Sequence, residues 1–115
     1  MAHDFTLLDD MFEHDAAEML AFSKDTWLPE LHEVFLKLET AVRRKNADAV
    51  TFLTHRIRGC AALGGADDIV AGMSEIDALV AKGRWIAANA RFYDATLLLH
   101  DLARWVAKEY GHLAS

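Results

Sequence analysis

With one cysteine, one proline and six glycines in 115 residues, the chain lacks most of what staples or punctuates a small fold. Cys60 alone excludes an internal disulfide framework and a cysteine-built zinc site, and a single thiol fits a reducing, cytoplasmic setting. So few breakers cannot supply the turns that a many-stranded β fold needs every few positions. Long apolar runs are missing too. Stretches such as 69–73 and 95–99 fall far short of the ~20 residues that a bilayer-spanning helix needs. The first ten residues are acidic and carry neither the positive flank nor the apolar run of an export signal. A formal charge of −6, from 12 Lys+Arg against 18 Asp+Glu, argues against broad binding to nucleic acid or an anionic membrane.

What is present is 53% hydrophobic residues, dominated by alanine and leucine, interleaved with charge at helical intervals. The expectation is an all-α chain forming one domain over residues 1–115. Phe5, Leu8, Phe12, Ala16 and Met19 form one helical stripe. Leu31, Val34, Phe35, Leu38 and Val42 form a second, with Glu30, Glu33, Lys37 and Arg44 away from it. Pro29 would mark a helix start, where a missing N–H costs nothing, yet residues 18–28 also look helical, so a kinked continuous helix competes. Asn46 can cap a helix beginning at Ala47, with Val50, Leu53, Ile57, Cys60 and Ala61 on one side and Gly64-Gly65 at its end. Asp67 and Asp68 stand at the positive end of a further helix, striped by Ile69, Met73, Ile76, Leu79 and Val80 and closed by Gly83. A last helix carries Trp85, Phe92, Leu98, Leu99, Leu102, Trp105 and Val106 before Gly111. The sum is a four-helix bundle with a short additional N-terminal helix.

Chemistry is sought first among six histidines. His3 and His112 lie near the termini, and His32 and His100 fit surface or half-buried bundle positions. Asp10, His14 and Glu18 would share a helix face and could hold a metal weakly, but the same acid-rich spacing fits a solvated face. No HExxH or Glu-x-x-His pair of the metal enzymes is present. His55 differs in its neighbours. Gly59 lies four residues on, on the same face, and a glycine inside a helix costs ~1 kcal/mol relative to alanine. An absent side chain beside an exposed imidazole leaves room for a bulky substituent or an approaching backbone. Arg58, three residues on, can pair with an anion above the ring. Together these describe a site for a phosphorylated imidazole. The bland alternative is close helix packing at Gly59 beside ordinary surface arginines.

The stretch His55, Ile57, Arg58, Gly59, Cys60 and Gly65 resembles the signature of the histidine-containing phosphotransfer (HPt) family: a histidine, an apolar residue two on, a lysine three on, then glycine, a small residue and a later glycine. Arg58 replaces the usual lysine and keeps its charge with a different geometry. Cys60 stands where serine or alanine is usual, and Gly64 takes a place that is often apolar.

The resemblance implies an up-and-down antiparallel four-helix bundle with the active histidine exposed midway along one helix, and places Pro29 within a long helix. It further implies phosphoryl transfer in either direction between His55 and aspartates of receiver domains in hybrid histidine kinases and response regulators. His55 is then the phosphoacceptor through Nε2, Arg58 the phosphate-facing cation and Gly59 the clearance that admits the receiver. Arg56, Phe52 and Cys60 are docking candidates, and Phe22 or Trp27 could lie near Phe52, although burial in the bundle is the expected place of all three aromatic side chains. Mg²⁺ is expected in the receiver and no cofactor in this chain, which acts as a monomeric phosphocarrier in a cytoplasmic two-component relay rather than as an independent enzyme. Nucleic acid and membrane are not expected partners. The competing expectation is a non-catalytic helical adaptor or dimerisation module. Charge is uneven along the chain: residues 1–33 hold nine acidic residues and one lysine, while residues 43–58 hold five basic residues and one aspartate.

Overall fold

A computed structural model describes the backbone of residues 6–13 and 15–114, and the side chains of these except Asp9, Tyr110 and residues 112–114. Among them there is no strand. The helices are α1 (Thr6–Met11), α2 (Ala16–Phe22), a π-helical turn (Ser23–Trp27), α3 (Leu28–Arg43), α4 (Ala47–Leu63), α5 (Asp67–Ala81) and α6 (Trp85–Ala114). From α3 onward they form an antiparallel bundle, and the described molecule measures about 48 × 21 × 21 Å, its long dimension matching the 30 residues of α6. None of these helices is long and apolar enough to cross a membrane.

The core is built from the stripes the spacing marks out. Leu31, Val34, Phe35, Leu38 and Val42 of α3 meet Val50, Leu53 and Ile57 of α4. Ile69, Met73, Ile76 and Val80 of α5, and Phe92, Leu99, Leu102 and Val106 of α6, complete it, all buried. The rings of Phe35 and Phe92 lie 6.1 Å apart in a tilted pair that joins α3 to α6. Leu79, Leu98, Trp85 and Trp105 are only half-buried against this core.

Three turns of the same kind reverse the chain. Each closes a helix by the same pair of bonds: Asn46 N–H to Ala41 O and Lys45 N–H to Val42 O, Ala66 to Ala61 and Gly65 to Ala62, Arg84 to Leu79 and Gly83 to Val80. The central residue of each is left-handed: Lys45 at φ 54°, Gly65 at φ 63° and Gly83 at φ 70°. Glycine takes this conformation without strain and lysine does not. Asn46 caps α4 as its position suggests, its side chain accepting from Ala49 N–H at 3.1 Å.

Three expectations change, at the first stripe, Gly111 and Phe52, and the two readings of Pro29 resolve toward a continuous helix. The Phe5–Met19 stripe is not one helix: the chain breaks between Met11 and Ala16, with Glu13 at φ 52° and Asp15 capping α2 through Glu18 N–H. Phe5 itself lies outside the described residues. Pro29 neither starts an isolated helix nor breaks one. The backbone stays right-handed through Phe22, Ser23, Trp27 and Leu28. The π-turn immediately upstream lets Leu28 N–H reach Ser23 O, five residues back, and widens the helix where a proline ring would crowd the preceding turn. Gly111 does not end α6, which continues to Ala114. Trp27 is buried as expected, 2% exposed with its indole N–H donating to Cys60 O at 2.8 Å, whereas Phe52, expected in the bundle, is exposed.

Candidate functional site

His55 sits at the midpoint of the 17-residue α4, exposed, on the side opposite the buried Leu53, Ile57 and Ala61. That placement follows from helical period: residues three and four apart share a face, so the exposed line runs through Phe52, His55, Gly59 and Ala62. Phe52 is 66% exposed one turn before the imidazole. A Cβ added at Gly59, one turn after it, would meet nothing within 4 Å. The space beside the ring is therefore open to solvent and to a partner, and no neighbouring helix uses the missing side chain. Close helix packing is not what Gly59 serves.

The two arginines lie to either side of this line and are held by different helices. Arg58 Nη1 donates to Ser74 Oγ on α5 at 3.2 Å, so the guanidinium rests against α5 rather than above the ring. Arg56 reaches toward α3, where Nη2 is 3.9 Å from Glu30 Oε1. One turn before His55, Thr51 Oγ1 donates to Asp77 Oδ1 at 3.1 Å. Together with Arg58–Ser74 it fixes the register of α4 against α5 on both sides of the histidine. Beneath them Thr54 is fully buried and returns its hydroxyl to Thr51 O. The imidazole therefore stands on a rigid surface between two cations.

Cys60 is half-buried, with Trp27 of the π-helical turn and Glu30 of α3 among the groups that act on its thiol. Burial first, and then the Glu30 charge, push its thiol up to about 11, against smaller opposing effects of Trp27 and Arg56. At neutral pH it is a protonated packing residue. Its carbonyl holds the Trp27 indole, whose ring lies over Gly64. A Cβ at Gly64 would come within 2.6 Å of Trp27 Cζ2. The tryptophan ring thus explains glycine at position 64.

The other histidines do not join His55. His32 and His100 are exposed and line a cleft of about 450 Å³ between α3 and α6, with Lys24, Leu28, Pro29, Leu99 and Ala103. His3 and His14 lie outside the described residues, as does the His112 side chain, and with His14 goes the suggested Asp10–His14–Glu18 metal site. Among the described residues no group of three His, Cys, Asp or Glu is placed to hold a metal ion. Phe22 is half-buried with its ring 5.2 Å from that of Phe12.

Sequence reasoning did not find Ser74, Asp77 and Glu30, the polar partners around the site. The only available signal was the length of the turn after α4. It pairs residues antiparallel across α4 and α5, so that positions near 74–77 fall opposite 51–58. The chain matches no protein-family model, no curated protein and no solved structure.

Proposed function

We propose that this protein is a histidine phosphocarrier of the HPt type, holding a phosphoryl group on His55 between aspartates of receiver domains. The observation that carries the proposal is the open, solvent-exposed space over Gly59 beside an exposed imidazole at the centre of a bundle helix. The flanking cations Arg58 and Arg56 support it.

In the forward step the Nε2 lone pair of the neutral imidazole attacks the phosphorus of a receiver's aspartyl phosphate. The N–P bond forms as the P–O bond to the aspartate breaks, and the electron pair leaves with the carboxylate. The ring keeps its proton on Nδ1. Transfer back to a second receiver reverses the same bonds. Such a step needs in-line approach more than covalent help, and a rigid helix with a cleared turn provides that approach. Arg58, three residues on from His55, can leave Ser74 to meet the product phosphate. Exchanging a neutral hydroxyl partner, Ser74, for a phosphate oxygen replaces an ordinary hydrogen bond with a charge-assisted one, roughly twice as strong. Phe52 and Ala62 at either end of the exposed line offer apolar contact to the incoming receiver. The metal that neutralises charge on the transferring group belongs to the receiver, so this chain acts as carrier rather than independent enzyme.

The test is phosphotransfer profiling against the receivers of the source cell. One or more phosphorylated receivers should pass label to the protein as an acid-labile, base-stable adduct, and His55→Gln should receive none. A helical adaptor, the competing reading, would bind a partner equally well after His55→Gln and take no label from any receiver.

A further inference from the structure

The locally basic stretch of the sequence divides in the fold. Arg56 and Arg58 flank His55, whereas Arg43, Arg44 and Lys45 lie at the far end of the bundle, about 14 Å from His55 along the axis of α4. There they meet Lys82 and Arg84 from the α5–α6 turn. All five side chains are exposed, and none forms an ion pair with a described carboxylate. The nearby acids are Glu39, half-buried at the edge, Asp48 in the first turn of α4 and Asp77 near the end of α5, bonded to Thr51, so five cations against three carboxylates leave the end net positive.

Two clefts open among these cations. One, of about 360 Å³, is lined by Glu39, Arg43, Trp85, Asn89 and Tyr93, among others. The second, of about 560 Å³, is floored by Gly83, Ala87 and Ala90 beside Arg84. They share Lys45, Trp85 and Ile86. Ile86 stands between them 91% exposed, the most exposed large apolar side chain described. Lys45 adds a second kind of evidence. It takes the left-handed position for which the other two turns use glycine, a conformation that costs an ordinary residue about 1–2 kcal/mol. A cation stands where glycine would be easier.

We infer that this end of the bundle is a docking surface, separate from the His55 face, for an acidic and partly apolar segment of a partner protein. Its carboxylates lie against Arg43, Lys45 and Arg84, and its apolar residues fill the clefts on either side of Ile86. Charge complementarity selects the occupant: five unpaired cations around an apolar ridge call for anions alternating with apolar groups. Both clefts are too open to bury the 70–90% of surface that a small ligand needs. An overall charge of −6 disfavours a polyanionic strand or an anionic bilayer, each of which would face the whole molecule. The inference does not depend on phosphotransfer at His55, and its test reads different residues.

The probe is a short synthetic peptide alternating glutamate with leucine and phenylalanine, titrated into the ¹⁵N-labelled protein and followed by fluorescence anisotropy. Amide shifts should concentrate at residues 43–45 and 84–93 and leave those around His55 unmoved. Affinity should fall about tenfold or more in Lys45→Glu/Arg84→Glu and about threefold in Ile86→Ser. It should also weaken severalfold between roughly 50 and 300 mM salt. All these positions are exposed, and circular dichroism of each variant confirms the fold. The inference is overturned if the peptide produces no shifts at this end, or if the variants bind as the parent does. It is also overturned if phosphatidylserine vesicles or a single-stranded oligonucleotide bind there more tightly than the peptide, or if a lysine-for-glutamate peptide binds equally well.

Discussion

Gly59→Ala separates the two things a mid-helix glycine can be for. The position is interior to α4, exposed, and a Cβ there would meet nothing within 4 Å, so no packing term opposes the change. Alanine then recovers the helical propensity that glycine gives up, about 0.5–1 kcal/mol. For a domain of this length that shifts Tm upward by about 2–5 °C, which a calorimetric or circular-dichroism melt resolves. Gly59→Leu should be close to neutral in the same melt, because leucine is a good helix former and its side chain projects into solvent. If the cleared turn exists to admit a receiver beside His55, function moves the other way. Alanine should slow transfer from a phosphorylated receiver by a few-fold, and leucine by about tenfold or more, as side-chain bulk enters the approach path. The reasoning is refuted on its structural side if Gly59→Ala lowers Tm. It is refuted on its functional side if Gly59→Leu accepts phosphate as fast as the parent.

Gly64 should behave in the opposite sense: its Cβ would press on the Trp27 ring, which the bond to Cys60 O holds in place. Gly64→Ala should therefore cost about 1–3 kcal/mol and lower Tm by roughly 5–15 °C in the same melts. Trp27→Phe, which removes the indole donor and part of the ring, should cost about 1–3 kcal/mol by denaturant titration. Ser74→Ala should leave stability within about 0.5 kcal/mol but release Arg58, raising the rate of phosphohistidine formation by a few-fold, whereas Arg58→Ala should lower it about tenfold. The Cys60 thiol, raised from 9.0 to about 11, stays protonated in the folded chain while the unfolded chain ionises first. Its contribution to stability is therefore complete below pH 9 and is lost as pH rises from 9 toward 11, and native protein should react with a thiol reagent at pH 8 far more slowly than unfolded protein.

Local chemistry was readable from the sequence wherever one residue acts on its own backbone or its own turn. The Asn46 cap, the left-handed glycines at 65 and 83, and the buried stripes of α3 to α6 all depend on interactions within a few residues. So does the exposure of His55 and its alignment with Gly59, a direct consequence of the 3.6-residue period, whereas the exposure of Phe52 runs against the burial expected of it. What was not readable depends on a second helix. Pro29 looked like a start signal because its local effect is real, but the π-turn beside it inserts one residue into a helix whose course is set by docking against α4 and α6. Gly64 looked like a loosened helix end because the ring that needs its space comes from 37 residues earlier. Arg58 was expected over the imidazole, and spacing alone permits that. Ser74, from the facing helix, draws the guanidinium aside. The stripe from Phe5 to Met19 kept helical period across a chain break, since periodicity records which face is apolar and not whether the backbone between is continuous.

The most direct measurement is the chemical identity of the modified residue after brief incubation with a phosphorylated receiver and Mg²⁺. Mass spectrometry under alkaline conditions should find one phosphoryl group on His55 and none in His55→Gln. Phosphate on another histidine, label undiminished in His55→Gln, or no label from any receiver of the source cell would contradict the account.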